Sequence, residues 1–247
     1  MIRLKRRTFS GVVCEQEVYT APTVRNYKKS EPRPRFANEE ERQQHKLNIS
    51  RLRHARLVNE NFTPASLYST LTFDLDNEVH DYIEGKKLRD LFVRRLKRKY
   101  PDAVIFIYMG RGKHTNRFHL HMISDGIPQE YIKKQWAYGA VCRIEHLRAH
   151  NFYDGVDHGQ DYTGLANYLF DHWEPEQGKH RWKQTRNAKQ PEKEDATICV
   201  RNYSETRPPV APKGYMLVET KTTLYGYQYF KYVIIPEKVK PDKAKKE

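Results

Sequence analysis

The chain has 247 residues, enough for one large domain or a compact domain with extensions. Hydrophobic residues make up 38% of it and aromatic residues 12%, which supplies a packed core and excludes disorder throughout. The 45 Lys and Arg against 31 Asp and Glu leave a formal charge of +14, which suits a polyanionic partner but identifies no reaction, since an RNA-binding protein would show the same excess.

In chain order, residues 8–20 (TFSGVVCEQEVYT) have β character, and the Pro-rich basic stretch TAPTVRNYKKSEPRPRF reads as a linker. Asn38 followed by Glu41 fits a capping box opening a polar helix over 39–58. Its apolar residues are few (Leu47, Leu52, Ala55, Val58), so it reads as a solvated helix within an N-terminal extension, 1–61, in preference to an arm laid along DNA. LYSTLTFDL (67–75) is rich in β-branched and aromatic residues and predicts a strand. A helix over 79–100 follows, with Leu88, Leu91, Phe92 and Leu96 on its apolar face and Arg94, Arg95, Lys97, Arg98 and Lys99 outside, and Pro101 ends it. AVIFIYM (103–109) and RFHLHMIS (117–124), joined by GRGKHTN, predict a hairpin. A short helix at 129–137, a strand at 140–146 and a helix at 163–172 come next. A charged stretch, 174–196, precedes apolar-aromatic segments at 215–219 and 223–235, and 237–247 is a basic tail with no reason to fold.

This order predicts an α+β fold with an antiparallel sheet, its main domain spanning 62–236. Cys14, Cys142 and Cys199 are far apart, which argues against a disulfide framework or a thiolate zinc site. No apolar run approaches a membrane span, so a cytoplasmic protein is expected.

His119 and His121 flank Leu120 in an apolar strand. Residues two apart on a strand point to the same face, so both imidazoles can chelate one cation while Leu120 and Met122 face the core. Such a pair also occurs with no metal, as one core and one surface histidine. Downstream, GQDYTGLANYLFDHW carries Tyr168 mid-helix, with Asp171 and His172 on its face. A tyrosine has a pKa near 10, and as a nucleophile it needs a polarised phosphate and nearby positive charge. Tyr162 is the competing tyrosine, on another helix face.

Four blocks carry a resemblance: STLTFDLDN (69–77), FHLHMISDG (118–126), LANYLFDHW (165–173) and HRWKQTRNAKQP (180–191). They are similar to motifs of the HUH endonuclease superfamily, and within it to rolling-circle replication-associated (Rep) proteins of Gram-positive phages, plasmids and integrated elements. The resemblance implies an RRM-like antiparallel sheet with flanking helices, and Mg²⁺ or Mn²⁺ held by His119 and His121. It also implies Tyr168 as nucleophile in nicking single-stranded or hairpin origin DNA, leaving a 5′-phosphotyrosine link and a 3′-OH primer. Asp171 and His172 stand where many single-tyrosine relatives have a Lys, and Met109 stands where a Glu ligand is sought. His114, Glu145, Asp171 and His172 are therefore the candidates for a third ligand. Arg111, Lys113 and Arg117 beside the His strand, and Arg181, Lys183 and Arg186 later, are candidate phosphate contacts, with Trp182 a stacking face. Solvated basic loops account for these cations equally well. With no Walker-type phosphate loop, unwinding is expected from a separate helicase. A relaxase or single-tyrosine transposase, or a non-catalytic nucleic-acid-binding protein, are the alternatives.

Overall fold

The computed structural model describes residues 1–21, 38–112, 117–139, 142–172, 180, 182–223 and 226–236. The elements begin with β1 (Ile2–Ser10), β2 (Val13–Ala21), α1 (Glu39–Asn61), β3 (Leu67–Thr72) and α2 (Tyr82–Lys99). Then come β4 (Val104–Arg111), β5 (Phe118–Asp125), α3 (Gln129–Gln135), β6 (Cys142–His146), β7 (Phe152–Tyr153), β8 (Val156–Asp157) and α4 (Thr163–Asp171). The last are β9 (Trp182–Gln184), β10 (Glu192–Lys193), β11 (Thr197–Ile198), β12 (Tyr215–Thr222) and β13 (Gln228–Ile234). Side-chain caps fix two helix starts: Asn38 accepts from the Glu41 N–H at 2.8 Å, and Asp81 from that of Glu84 at 2.9 Å.

The fold is α+β, with antiparallel sheets, and the chain divides into two compact units. Met1–Arg33, His150–Asp161 and Glu192–Glu247 form one; Pro34–Ala149 and Tyr162–Pro191 form the other. This differs from the expected single domain over 62–236 preceded by an extension.

The second unit is built on a five-stranded sheet in the order β6-β3-β5-β4-β9, which makes β5 its central strand. The two-residue period of β5 sends Leu120 and Met122 to one face, where they pack with Leu71, Ile107 and Met109 beneath Phe92 and Leu96 of α2 and Ile132 of α3. Burying each such side chain stabilises the fold by about 1.5–3 kcal/mol. The other face carries Phe106, Tyr108 and Ile123, packed with Leu57 and Val58 of α1 and Ala166 and Leu169 of α4.

The expectation that α1 is a solvated helix of an extension is therefore corrected. It runs to Asn61, and His54–Asn59 are all buried. Half of these residues are polar, and two of them are bonded across the core: His54 Nε2 lies 2.8 Å from the Tyr108 hydroxyl, and Asn59 Oδ1 accepts from the Tyr162 N–H at 2.8 Å. An apolar stripe was absent because hydrogen bonds perform part of its task.

The first unit is a sheet in which the β1–β2 hairpin continues through β13 to β12, with β10 and β11 on the outer edge of β1. The hairpin turns at Gly11, whose φ of 55° suits glycine. Cys14 and Cys199 are free thiols buried with Val18, Phe230 and Tyr232. The aromatic segments after 214 thus pair with the N-terminal strand, Tyr232 opposite Cys14, and do not extend the sheet that carries the histidines. Most of the expected linker, and the 237–247 tail, lie outside the described residues. Among the described residues no helix is long and apolar enough to cross a membrane.

Candidate metal centre and nucleophile

β5 presents His119 and His121 on the face shared with α1 and α4. In register, His121 lies between Thr70 of β3 and Tyr108 of β4, and His119 lies opposite Gly110. The imidazole of His172, the residue that ends α4, enters the space above Gly110. Three Nε2 atoms converge: His119 to His172 at 2.7 Å, His119 to His121 at 3.2 Å and His121 to His172 at 3.2 Å. A cation about 2.0–2.1 Å from each nitrogen would hold adjacent ligand atoms about 3.3 Å apart in tetrahedral geometry and about 2.9 Å apart in octahedral geometry. The observed triangle is of that size, so the donors fit an ion with little movement. Of the described candidates for a third ligand, His172 is the one whose donor atom joins those of His119 and His121.

Burial sets the electrostatics. It pushes the pKa of His121 down to about 3, helped by the neighbouring His119 and His172. Burial also lowers His119, against a hydrogen bond with the backbone of Arg117. Neutral imidazoles at His119 and His121 are the state a cation requires of its ligands. On the far side of His121, Nδ1 lies 2.7 Å from the Tyr68 hydroxyl and 3.3 Å from Thr70 Oγ1, and the Tyr68 ring stacks on the imidazole at an interplanar angle of 16°. Burial pushes Tyr68 up to about 12, so it stays a neutral hydroxyl.

Tyr168 stands beside the triangle. Its ring centroid is 5.2 Å from that of His172, one helical turn on, and 6.0 Å from that of His121, and the side chain is half exposed. Tyr162 has the opposite environment: it is 2% exposed and its hydroxyl donates to the Arg148 carbonyl at 3.1 Å. Only the first of the two tyrosines is open to a substrate.

No protein-family model, curated protein or solved structure matches the chain.

The remaining candidates are placed as follows. Asp171 pairs with Arg51 at 2.6 Å and Glu145 with Arg143 at 3.0 Å, while Met109 is buried in the core on the opposite face of the sheet. Arg111 lies over the Phe118 ring at 4.2 Å, Arg117 pairs with Glu78 at 3.1 Å, and Lys183 pairs with Asp90 at 2.8 Å. Trp182 is half-buried, its ring 4.7 Å from that of His54 and 5.8 Å from that of Phe170, so its stacking partners are within the fold. Arg186 is exposed. His114, Lys113 and Arg181 lie outside the described residues. Tyr68, Thr70 and Gly110 were not singled out from the sequence, because only the register of β3 and β4 against β5 brings them to the histidines.

Proposed function

We propose that this chain nicks and rejoins single-stranded or hairpin origin DNA as an initiator of rolling-circle replication, with Tyr168 as nucleophile and His119, His121 and His172 as ligands of a divalent cation. One observation carries the reading: three imidazole nitrogens converge within 2.7–3.2 Å beside an exposed helical tyrosine. The antiparallel sheet with helices on both faces accords with the RRM-like architecture that the four sequence blocks imply.

An all-nitrogen donor set favours Mn²⁺ over Mg²⁺, which prefers oxygen ligands. Bound there, the ion supplies Lewis acidity towards a phosphoryl oxygen. The Tyr168 oxygen forms a bond to phosphorus, the bond from phosphorus to the 3′ oxygen breaks, and the phenolic proton is balanced by one taken up at the departing 3′ oxygen. The products are a 5′-phosphotyrosine and a free 3′-OH. One phosphodiester has replaced another, so the reverse attack by a 3′-OH rejoins the strand. Unwinding of the origin falls to a separate helicase.

The experiment incubates labelled single-stranded origin DNA with the protein and Mn²⁺ and looks for a covalent band that survives denaturant. Wild type is expected to form it, while Tyr168→Phe and the double variant His119→Ala/His121→Ala are expected to lose it. An adduct from Tyr168→Phe equal to that of wild type rejects the nucleophile. Metal-independent binding by wild type with no adduct identifies a non-catalytic nucleic-acid-binding protein instead.

A further inference from the structure

A neutral imidazole carries one hydrogen, and a metal ligand must keep the coordinating nitrogen free of it. The nitrogen on the other side therefore needs an acceptor, and the group supplying it fixes both tautomer and ring orientation. The two β5 histidines solve this differently. His119 uses the backbone of Arg117, which no substitution of a side chain removes. His121 Nδ1 faces two hydroxyls, Tyr68 at 2.7 Å and Thr70 at 3.3 Å.

We infer that Tyr68, assisted by Thr70, is a positioning residue of the metal centre: its hydroxyl oxygen accepts the Nδ1 hydrogen of His121 and holds the Nε2 lone pair turned towards the ion. This rests on the reading of His119, His121 and His172 as ligands. Tyr68 suits the task because it sits on β3, hydrogen-bonded along its length to β5, so the two side chains are fixed on one rigid surface. Its ring lies nearly parallel to the imidazole, at 16° with centroids 5.7 Å apart, and limits rotation of His121. Thr70 is directly opposite His121 and gives a second, longer contact. Tyr68 acts through His121, so its removal weakens the hold on the ion without removing any group that reacts.

The test is Mn²⁺ titration by calorimetry on the full chain, comparing wild type, Tyr68→Phe, Thr70→Val and His121→Ala. Loss of the Tyr68 hydroxyl is expected to weaken Mn²⁺ binding about 10–100-fold, and loss of the Thr70 hydroxyl about threefold. The metal-free melting temperature of Tyr68→Phe is expected to match wild type, which a merely structural role would not allow. Its nicking is expected to recover at high Mn²⁺, whereas that of Tyr168→Phe does not. Mn²⁺ affinities of Tyr68→Phe and Thr70→Val both equal to wild type, with His121→Ala defective, overturn this inference and leave the centre standing. Wild type that binds no Mn²⁺, or His121→Ala that binds as tightly as wild type, overturns the centre itself and this inference with it.

Discussion

At Gly110 the strand carries no side chain because the imidazole of His172 stands where one would be. A Cβ built there would lie 2.2 Å from His172 Cδ2, 2.7 Å from its Nε2 and 3.1 Å from His119 Nε2, all closer than ordinary contact. Gly110→Ala must therefore push His172, the proposed third ligand, aside. Because the clash is with the far end of a side chain and not with backbone, the displacement is cheap for the fold and costly for the centre. The expected result is a loss of Mn²⁺ affinity of at least about tenfold, with a melting temperature within a few degrees of wild type. Calorimetry and a thermal melt on the same sample check both. Affinity unchanged from wild type would mean that His172 is not a ligand. The glycine was silent in the sequence, where it is one of two in the loop-like run GRGKHTN; the histidine it accommodates was already one of four candidates.

Among the elements, α1 holds α4 at both ends. Near its C-terminus Asn59 accepts from the Tyr162 N–H at 2.8 Å and donates to Thr163 Oγ1 at 3.1 Å, satisfying the start of α4, which has no side-chain cap of its own. Two turns earlier Arg51 pairs with Asp171 at 2.6 Å, beside His172, and lies over the Phe170 ring at 5.4 Å. Tyr168 is carried between these clamps, and His172 follows directly after the second. Arg51→Ala removes a partly exposed pair of small stabilising value, about 0–1 kcal/mol, yet frees the end of α4 that bears His172. Its expected phenotype is a normal melt with slower adduct formation and weaker Mn²⁺ binding. Asn59→Ala should cost about 1–2 kcal/mol through the lost cap and slow the adduct as well. Both are measured by urea unfolding and single-turnover nicking. Wild-type nicking in both variants would remove α1 from any part in the site. The β5 histidines, the α2 face and the cap of α1 were legible because alternation, helical spacing and Asn38 are local signals. The burial of α1 was not, since His54, Arg56 and Asn59 read as solvent-facing until their partners are known.

Over the whole chain, several strands could be located from composition, but apart from the β4–β5 hairpin they could not be paired. The first unit draws on both ends of the sequence and on the excursion His150–Asp161, so the contacts that join these segments, unlike the β1–β2 and β12–β13 hairpins, have no local signature and close long loops. One buried ion pair joins two of those segments: Lys231 Nζ lies 2.6 Å from the Asp161 carboxylate, with side chains 6% and 1% exposed. Such a pair adds little over apolar packing, but breaking it from the Lys231 side leaves a buried carboxylate without its cation, with His158 Nδ1 at 3.5 Å as a longer contact. Lys231→Met is therefore expected to lower the stability of this unit by about 3 kcal/mol. Lys231→Met/Asp161→Asn, which also neutralises the carboxylate, should recover much of that loss, a coupling that independent sites would not show. Urea unfolding at neutral pH, followed by hydrogen exchange of the β13 amides, reads both variants. A double variant no more stable than Lys231→Met would show that the pair is not what ties the excursion to β13. Since Asp161 is followed directly by Tyr162, the cap residue of α4, the same titration should be run beside a Mn²⁺-binding curve. The expected outcome is unchanged affinity wherever the second unit stays folded, because all three proposed ligands and both clamps of α4 belong to it.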